Sequence, residues 1–387
     1  MEESLPTILP ERNTRIDAVR ATVLAAVIIG NMLTISGLAY MTEDMRAQML
    51  APVDRATWRF LAVFLESKAL AAFSFLFGLS FSIIVTKAQG HGEAPTVQFL
   101  RRLLVLAAIG LFNAVFLYWA DILMAYAALG LILPFAARFP AKVLLVLALL
   151  LIISGPLALV LGGFDPPVPV PEGHVDSLKA FASPNFTDTI SHNWHMVFSA
   201  AEHADSMLVL RFFMLSGLFL MGLSAGKSDL LTRLTAKRSA LLKAGTALLA
   251  TGLLLNLMLA LEIVADRFAP LLQINSPIMA LGYLALITVA LDGARARRLR
   301  TLLAPLGRMS LTGYLMSAAM GQLVFYGWGF QFIGRLGTLE VLFVAAGIFA
   351  LLVGFARFWF RHFLYGPWEW LWRSLTRMQA QPLLSVR

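Results

Sequence analysis

The sequence predicts an all-α polytopic membrane protein of about ten transmembrane helices, with both termini cytoplasmic and an interfacial helix near the C-terminus. Three observations carry that expectation. The 387 residues are 59% hydrophobic and 14% charged, with a mean hydropathy of +0.77, against roughly 45–50% and about 25% in soluble domains. Apolar stretches of membrane-crossing length, about 20 residues, recur along the chain. The 31 Lys and Arg divide 23 to 8 between the two sides those stretches define, and the richer side is the cytoplasmic one.

In chain order, residues 1–14 are a polar tail and Ala18–Ala39 is the first span, too long for a cleaved signal peptide. Thr42–Lys68 carries four acids and four bases and fits a surface segment with an amphipathic helix around Trp58-Arg59-Phe60. Span 2 is Ala69–Thr86. Spans 3 and 4 form the hairpin Arg101–Phe135, closed by Tyr118-Trp119-Ala120-Asp121, and span 5 is Ala141–Gly162. An outer loop at about 163–205 has six acids and one lysine, with an extended, proline-rich first part and a helical second part. Spans 6 to 10 follow at Met207–Ala225, Leu241–Ile263, Pro270–Leu291, Leu303–Tyr326 and Gly337–Phe358. The membrane domain is thus 15–363, and 364–387 form a Trp-rich amphipathic helix and tail on the inner surface.

Composition also excludes functions. The net charge of +9 is spread over many short loops and not gathered into one patch, which argues against nucleic-acid binding. With no cysteine, disulfides, thiolate metal sites and an acyl-cysteine intermediate are ruled out.

Polar groups inside spans are costly, so they are candidates for function. Asp17 and Arg20, three residues apart, share one face at the inner end of span 1, and Asn31 lies three turns further along that face. Asn113 sits inside span 3 and Asp121 in the hairpin turn, both expected to point into the bundle. Arg308, Thr312 and Tyr314 cluster at the start of span 9, and Arg295–Arg300 precedes it as a basic loop. In the outer segment, His192, His195 and His203 with Glu202 offer metal-ligand types, but no metal-binding motif accompanies them, and no metal is expected.

These residues carry a resemblance. TRIDAVRATVLAAVIIGNML, FSFLFGLSF, RRLLVLAAIGLFNAVFLYWADILMAYAALG, LGRMSLTGYLM and RHFLYGPWEWLWRSLTR resemble, in order and over nearly the whole chain, the YeiB-like membrane proteins (domain of unknown function 418). That family is itself similar to the transmembrane acyltransferases of the heparan-alpha-glucosaminide N-acetyltransferase type. The D-x-x-R motif of the family falls on Asp17 and Arg20, and its span-1 Asn on Asn31. Where the family has a His in a G-L-x-H-A setting, this chain has Gly110-Leu111-Phe112-Asn113-Ala114, and an amide does not take up a proton near neutral pH.

The resemblance implies an acyltransferase of a bacterial-type cytoplasmic (inner) membrane, moving an acyl group from cytoplasmic acyl-CoA, acetyl-CoA for instance, to an extracytoplasmic or membrane-embedded small-molecule acceptor. Asp17, Arg20, Arg308 and Tyr314 are the binding candidates; Asn31, Asn113 and Asp121 are the catalytic ones. The proton would pass to Asp121 or to an outer histidine. The expected partner is the lipid bilayer, with no nucleic acid, and the reading allows a homodimer. The rival is a transporter of a small polar or lipidic solute, and a structural membrane protein is third.

Overall fold

The structure, a computed structural model, describes residues 14–90, 95–162, 175–199, 206–228, 230 and 237–384. In chain order the helices are α1 Thr14–Ile35, α2 Glu43–Met49, α3 Pro52–Phe64, α4 Lys68–Gly90, α5 Pro95–Phe112, α6 Leu123–Gly130, α7 Ile132–Ala136, α8 Ala141–Gly162, α9 Val175–Ala182 and α10 Phe186–Ser199. They continue with α11 Ser206–Lys227, α12 Arg238–Ala260, α13 Ala269–Leu272, α14 Asn275–Asp292, α15 Arg297–Arg308, α16 Ser310–Phe325, α17 Thr338–Trp359 and α18 Pro367–Arg377. Among the described residues the only β-type pairing is one isolated bridge between Phe363 and Leu384. In lipid a helix satisfies its backbone polar groups internally, and this is what allows such apolar runs to cross.

Helix α1 is the hub, packing on α4, α14, α15, α16 and α17. It ends at Gly37, whose φ of +91° is left-handed and open to glycine. A second layer, α4–α11–α8, depends on small residues. A Cβ on Gly222 of α11 would collide with the Phe75 carbonyl oxygen of α4, and one on Gly226 with Ser82. Gly222 and Gly226 form a G-x-x-x-G pair that lets the two backbones touch. On α8 the opposite condition holds. Val146, Leu150, Ile153 and Leu161 stand exposed on one long apolar face, as a lipid-facing helix requires.

Among the described residues, eight segments are long and apolar enough to cross a membrane: Thr14–Ile35, Pro52–Ile83, Val97–Leu117, Ala141–Gly162, Leu208–Lys227, Arg238–Ala260, Asp266–Asp292 and Thr338–Trp359. Two of the ten expected spans are missing from that set. Leu123–Ala136 keeps helical angles through Leu131 (φ −59°, ψ −24°) but reaches only roughly 20 Å at 1.5 Å per residue, short of a hydrocarbon core of about 30 Å. The expected Leu303–Tyr326 breaks at Met309 (φ −117°, ψ 44°) into α15 and α16, a break that the C-terminal helix caps as described below.

The segment expected on the surface also differs, since α3 continues into α4 through a turn at Ser67 (φ 59°) and joins span 2 as Pro52–Ile83. The carbonyls exposed at that turn are taken up by side chains: Asn256 donates to Val63 O at 2.9 Å and Tyr283 to Phe64 O at 2.9 Å from other helices, and Lys68 of the turn itself donates to Ala62 O at 3.3 Å.

Candidate functional site

Three of the residues singled out above converge where the hairpin closes. α5 ends in a single π-helical turn, Asn113–Leu117, in which Tyr118 N–H donates to the Asn113 carbonyl at 2.6 Å; such turns widen a helix and recur at functional sites. The chain then folds back so that Asp121 faces Asn113. The Asn113 amide donates to Asp121 Oδ1 at 2.7 Å, Tyr314 O–H of α16 to the same oxygen at 3.4 Å, and Met124 N–H to Oδ2 at 2.9 Å. Asp121 thereby caps the first turn of α6, where a carboxylate meets unpaired N–H groups and the positive end of the helix dipole. All these donors are neutral, and among the described residues Asp121 makes no ion pair. Its close approach to α5 requires Gly110, where a Cβ would lie 2.8 Å from Asp121 Oδ2.

Unused hydrogen-bonding capacity adjoins this carboxylate at Asn113. Asn113 is fully buried, yet its Oδ1 meets no partner among the described residues, nor does the buried Asn31 Nδ2. Buried polar atoms are nearly always paired, so two open amide atoms in one helix bundle are notable.

The segment between α8 and α11 also reaches this place. α10 packs on the π-helical turn, with Asn193 donating to Val115 O at 3.1 Å, while Gln322 of α16 donates to Leu117 O. Both carbonyls are helix-end acceptors without intrahelical partners. Next to them, Trp119 donates to Tyr40 O–H at 2.7 Å, and the Phe181 ring stacks on Tyr326 at 4.5 Å and meets His192 edge-on.

The N-terminal end of α1 holds the second set. Arg20 donates to Asp17 Oδ1 at 3.0 Å and to Ser80 Oγ of α4 at 2.7 Å, and Asp17 is 4% exposed. Replacing Arg20 alone removes this ion pair from the buried Asp17, where breaking a buried pair costs up to about 3–5 kcal/mol, whereas the part-exposed Arg20 keeps Ser80 and solvent when Asp17 is replaced. We expect Asp17→Asn with Arg20→Gln to lose less thermal stability than the two single variants combined, by about 1–3 kcal/mol; additive losses would refute the pairing as an energetic unit.

Other arginines serve structure. Arg308 donates to Leu364 O, its guanidinium 4.1 Å from the Phe360 ring. Arg300 donates to the carbonyls of Leu291 and Asp292 at 2.5 and 2.9 Å and so closes the C-terminus of α14. The expected basic loop is folded as a 3-10 turn at Ala294–Ala296 followed by the start of α15, on which Arg295, Arg297 and Arg298 are exposed.

Sequence reading overlooks Glu369, the lone acid among the tryptophans of α18. Its carboxylate accepts from Leu311 N–H (2.8 Å), Thr312 N–H (3.1 Å) and Thr312 O–H (2.6 Å), capping α16 across the break at Met309. Burial pushes the Glu369 carboxyl above its ordinary range, although these hydrogen bonds pull the other way. Trp372 of the same helix donates to Arg102 O at 2.8 Å under the Arg102 guanidinium. The sequence signal is an acid flanked by Trp368 and Trp370 in an otherwise basic helix.

Of the sequence candidates, the structure brings Asn113, Asp121 and Tyr314 together and pairs Asp17 with Arg20. Asn31 and Arg308 make no direct contact with the Asp121 cluster. His192 shares a hydrogen bond with Ser177 at 2.9 Å, His195 is exposed, and Glu202 and His203 lie outside the described residues. Among the described residues, no group of three or more His, Asp or Glu is placed to hold a metal ion.

Known proteins are similar to this chain over nearly its whole length. Residues 225–379 match the family described as Protein of unknown function (DUF418). The chain is 26% identical to "Uncharacterized protein YxaH" of Bacillus subtilis (strain 168), covering 99% of this chain and 98% of that protein. It is 27% identical to "Uncharacterized protein YeiB" of Escherichia coli (strain K12), covering 97% and 99%. The matched family region spans Arg308, Tyr314 and Glu369, and the Bacillus and Escherichia relatives are similar over nearly the whole chain.

Proposed function

We propose, for a chain that belongs to the YeiB-like DUF418 family of multi-pass membrane proteins, that it transfers an acyl group from acyl-CoA on the cytoplasmic side to an acceptor beyond or within the bilayer. The observation that carries this reading is the partly buried carboxylate of Asp121, held by neutral donors and adjoining an unused amide oxygen. Such a group is suited to take a proton.

The acceptor's N–H or O–H donates to Asn113 Oδ1 and loses its proton to Asp121 as its N or O attacks the thioester carbonyl. The unused Asn31 amide donor and the Tyr314 hydroxyl are the groups available to stabilise the oxyanion. Collapse of that intermediate breaks the C–S bond, and the departing thiolate takes the proton held by Asp121, leaving as the thiol of coenzyme A and restoring the carboxylate. Exposed Arg295, Arg297 and Arg298 would meet the donor's phosphates. They adjoin the inner end of α1, where Arg15 pairs with Asp292 at 2.7 Å.

The test is thiol release from acetyl-CoA by the purified protein in the presence of membrane lipid extract, compared with the Asp121→Asn variant. Release by the wild type and its loss in the variant support the reading. Absence of release, together with solute flux in liposomes, would move a transporter ahead of it.

A further inference from the structure

Packing of α18 on α5 gathers arginines from distant parts of the chain. The Arg102 guanidinium of α5 lies 3.9 Å from the centre of the Trp372 ring of α18, whose indole N–H donates to Arg102 O at 2.8 Å and so fixes ring and cation against each other. Arg373 follows Trp372 on the same helix and sits 4.9 Å from the Tyr365 ring. On the opposite side, Arg20 of α1 donates to Ser80 of α4 at 2.7 Å. The next residue of α4, Phe81, packs its ring 4.3 Å from that of Phe99, one turn before Arg102 on α5. The charges that bear on Arg102 are accordingly two more guanidiniums, Arg373 first and Arg20 second.

No carboxylate offsets Arg102. Among the described residues it makes no ion pair, and none of its five N–H donors meets an acceptor. Glu369, one turn before Arg373, is committed to Leu311 N–H, Thr312 N–H and Thr312 O–H of α16, and Asp17 to Arg20. Like charges repel more strongly out of bulk water, yet the fold holds Arg102 in place with an aromatic face. All three arginines are half-buried, which leaves them within reach of a solute or a lipid headgroup.

We infer that Arg20, Arg102 and Arg373 form a binding site for a phosphate group. Phosphate suits such a cluster better than a carboxylate does, because it has more acceptor oxygens, carries about two negative charges as a monoester, and meets planar guanidinium forks in paired hydrogen bonds. Its bearer is a phospholipid headgroup or a soluble phosphate ester, which present the same chemistry. The site shares no residue with the Asp121 cluster or with Arg295, Arg297 and Arg298, and the inference does not rest on acyl transfer.

The experiment uses full-length protein in a neutral detergent without phosphate. Equilibrium dialysis with inorganic pyrophosphate and with coenzyme A probes the soluble ester, and mass spectrometry of phosphatidylglycerol retained through extraction probes the headgroup. Binding in at least one arm is expected, about tenfold weaker in Arg102→Gln and in Arg373→Gln and unchanged in Arg101→Gln, an exposed neighbour. Retention of the lipid alone assigns the headgroup; binding of pyrophosphate and coenzyme A assigns the soluble ester. The probe that binds should also raise the unfolding temperature of the wild type and leave that of Arg102→Gln unchanged. Arg102→Lys, which keeps the charge and gives up the planar fork, should bind more weakly than the wild type and carries the test should Arg102→Gln not fold. Failure of all three probes to bind, or wild-type affinity in the folded Arg102 and Arg373 variants, would overturn the proposal.

Discussion

Gly222→Val is expected to abolish the folded protein, whereas Gly347→Val should leave it intact. Both glycines lie within apolar helices, and on hydropathy alone the valine variants look equally acceptable. Their surroundings differ. A Cβ at Gly222 collides with the Phe75 backbone, and nothing lies within 4 Å of one at Gly347. Backbone cannot rotate aside as a side-chain tip can, so α4 and α11 must separate along the interface that also holds Gly226 against Ser82. Between membrane helices tight packing is the principal attraction, because lipid tails are as apolar as the side chains they replace. Overpacking a core costs about 1–3 kcal/mol where side chains can yield, and the rigid contact here should exceed that. Yield and thermal unfolding of detergent-solubilised protein would measure it. A Gly222→Val protein that unfolds within a few degrees of the wild type would show that the two helices are not in backbone contact.

The same pair of glycines separates what is legible in the sequence from what is not. Hydrophobic runs identify the helical membrane fold because a lipid-crossing helix needs only length and apolarity, both local properties. The Asp17–Arg20 spacing likewise gives a pair on one helix face. The G-x-x-x-G of Gly222 and Gly226 is equally visible, but only the partner helix shows which small residues form a contact. Thr312 and Glu369 are far apart in the chain, and no local pattern announces that one caps the helix of the other. For the same reason the expected span Leu303–Tyr326 reads as continuous: its break at Met309 is sustained by a carboxylate from the C-terminal helix. Arg300 reads as an exposed cation because the carbonyls it caps carry no sequence signature. Asn113 and Asp121 are recognisable as inward-facing groups, but their direct bond depends on the π-helical turn, whose extra residue brings Asp121 back against α5.

Asp121→Asn is expected to lower acyl transfer by at least a hundredfold with little loss of stability, because asparagine keeps the shape of the side chain while removing its basicity. The hydrogen bonds can be kept. Asparagine also caps helices well, so Met124 N–H retains an acceptor. The new amide would otherwise face the Asn113 amide, donor against donor, but Asn113 can turn its side chain and present the Oδ1 that has no partner in the native arrangement. What is lost is the group able to accept the proton, and loss of a general base costs about 10²–10⁴-fold. Asn113→His tests the same idea from the opposite side, since imidazole restores a titratable base beside Asp121 and should be tolerated or raise the rate. Replacing His192 or His195 should change it little, because neither is hydrogen-bonded to the Asn113–Asp121 pair. Rates would be compared by thiol release from acetyl-CoA at matched protein folding, judged by thermal unfolding. A folded Asp121→Asn protein that keeps more than about a tenth of the wild-type rate, well above what general-base loss allows, would remove Asp121 from the chemistry.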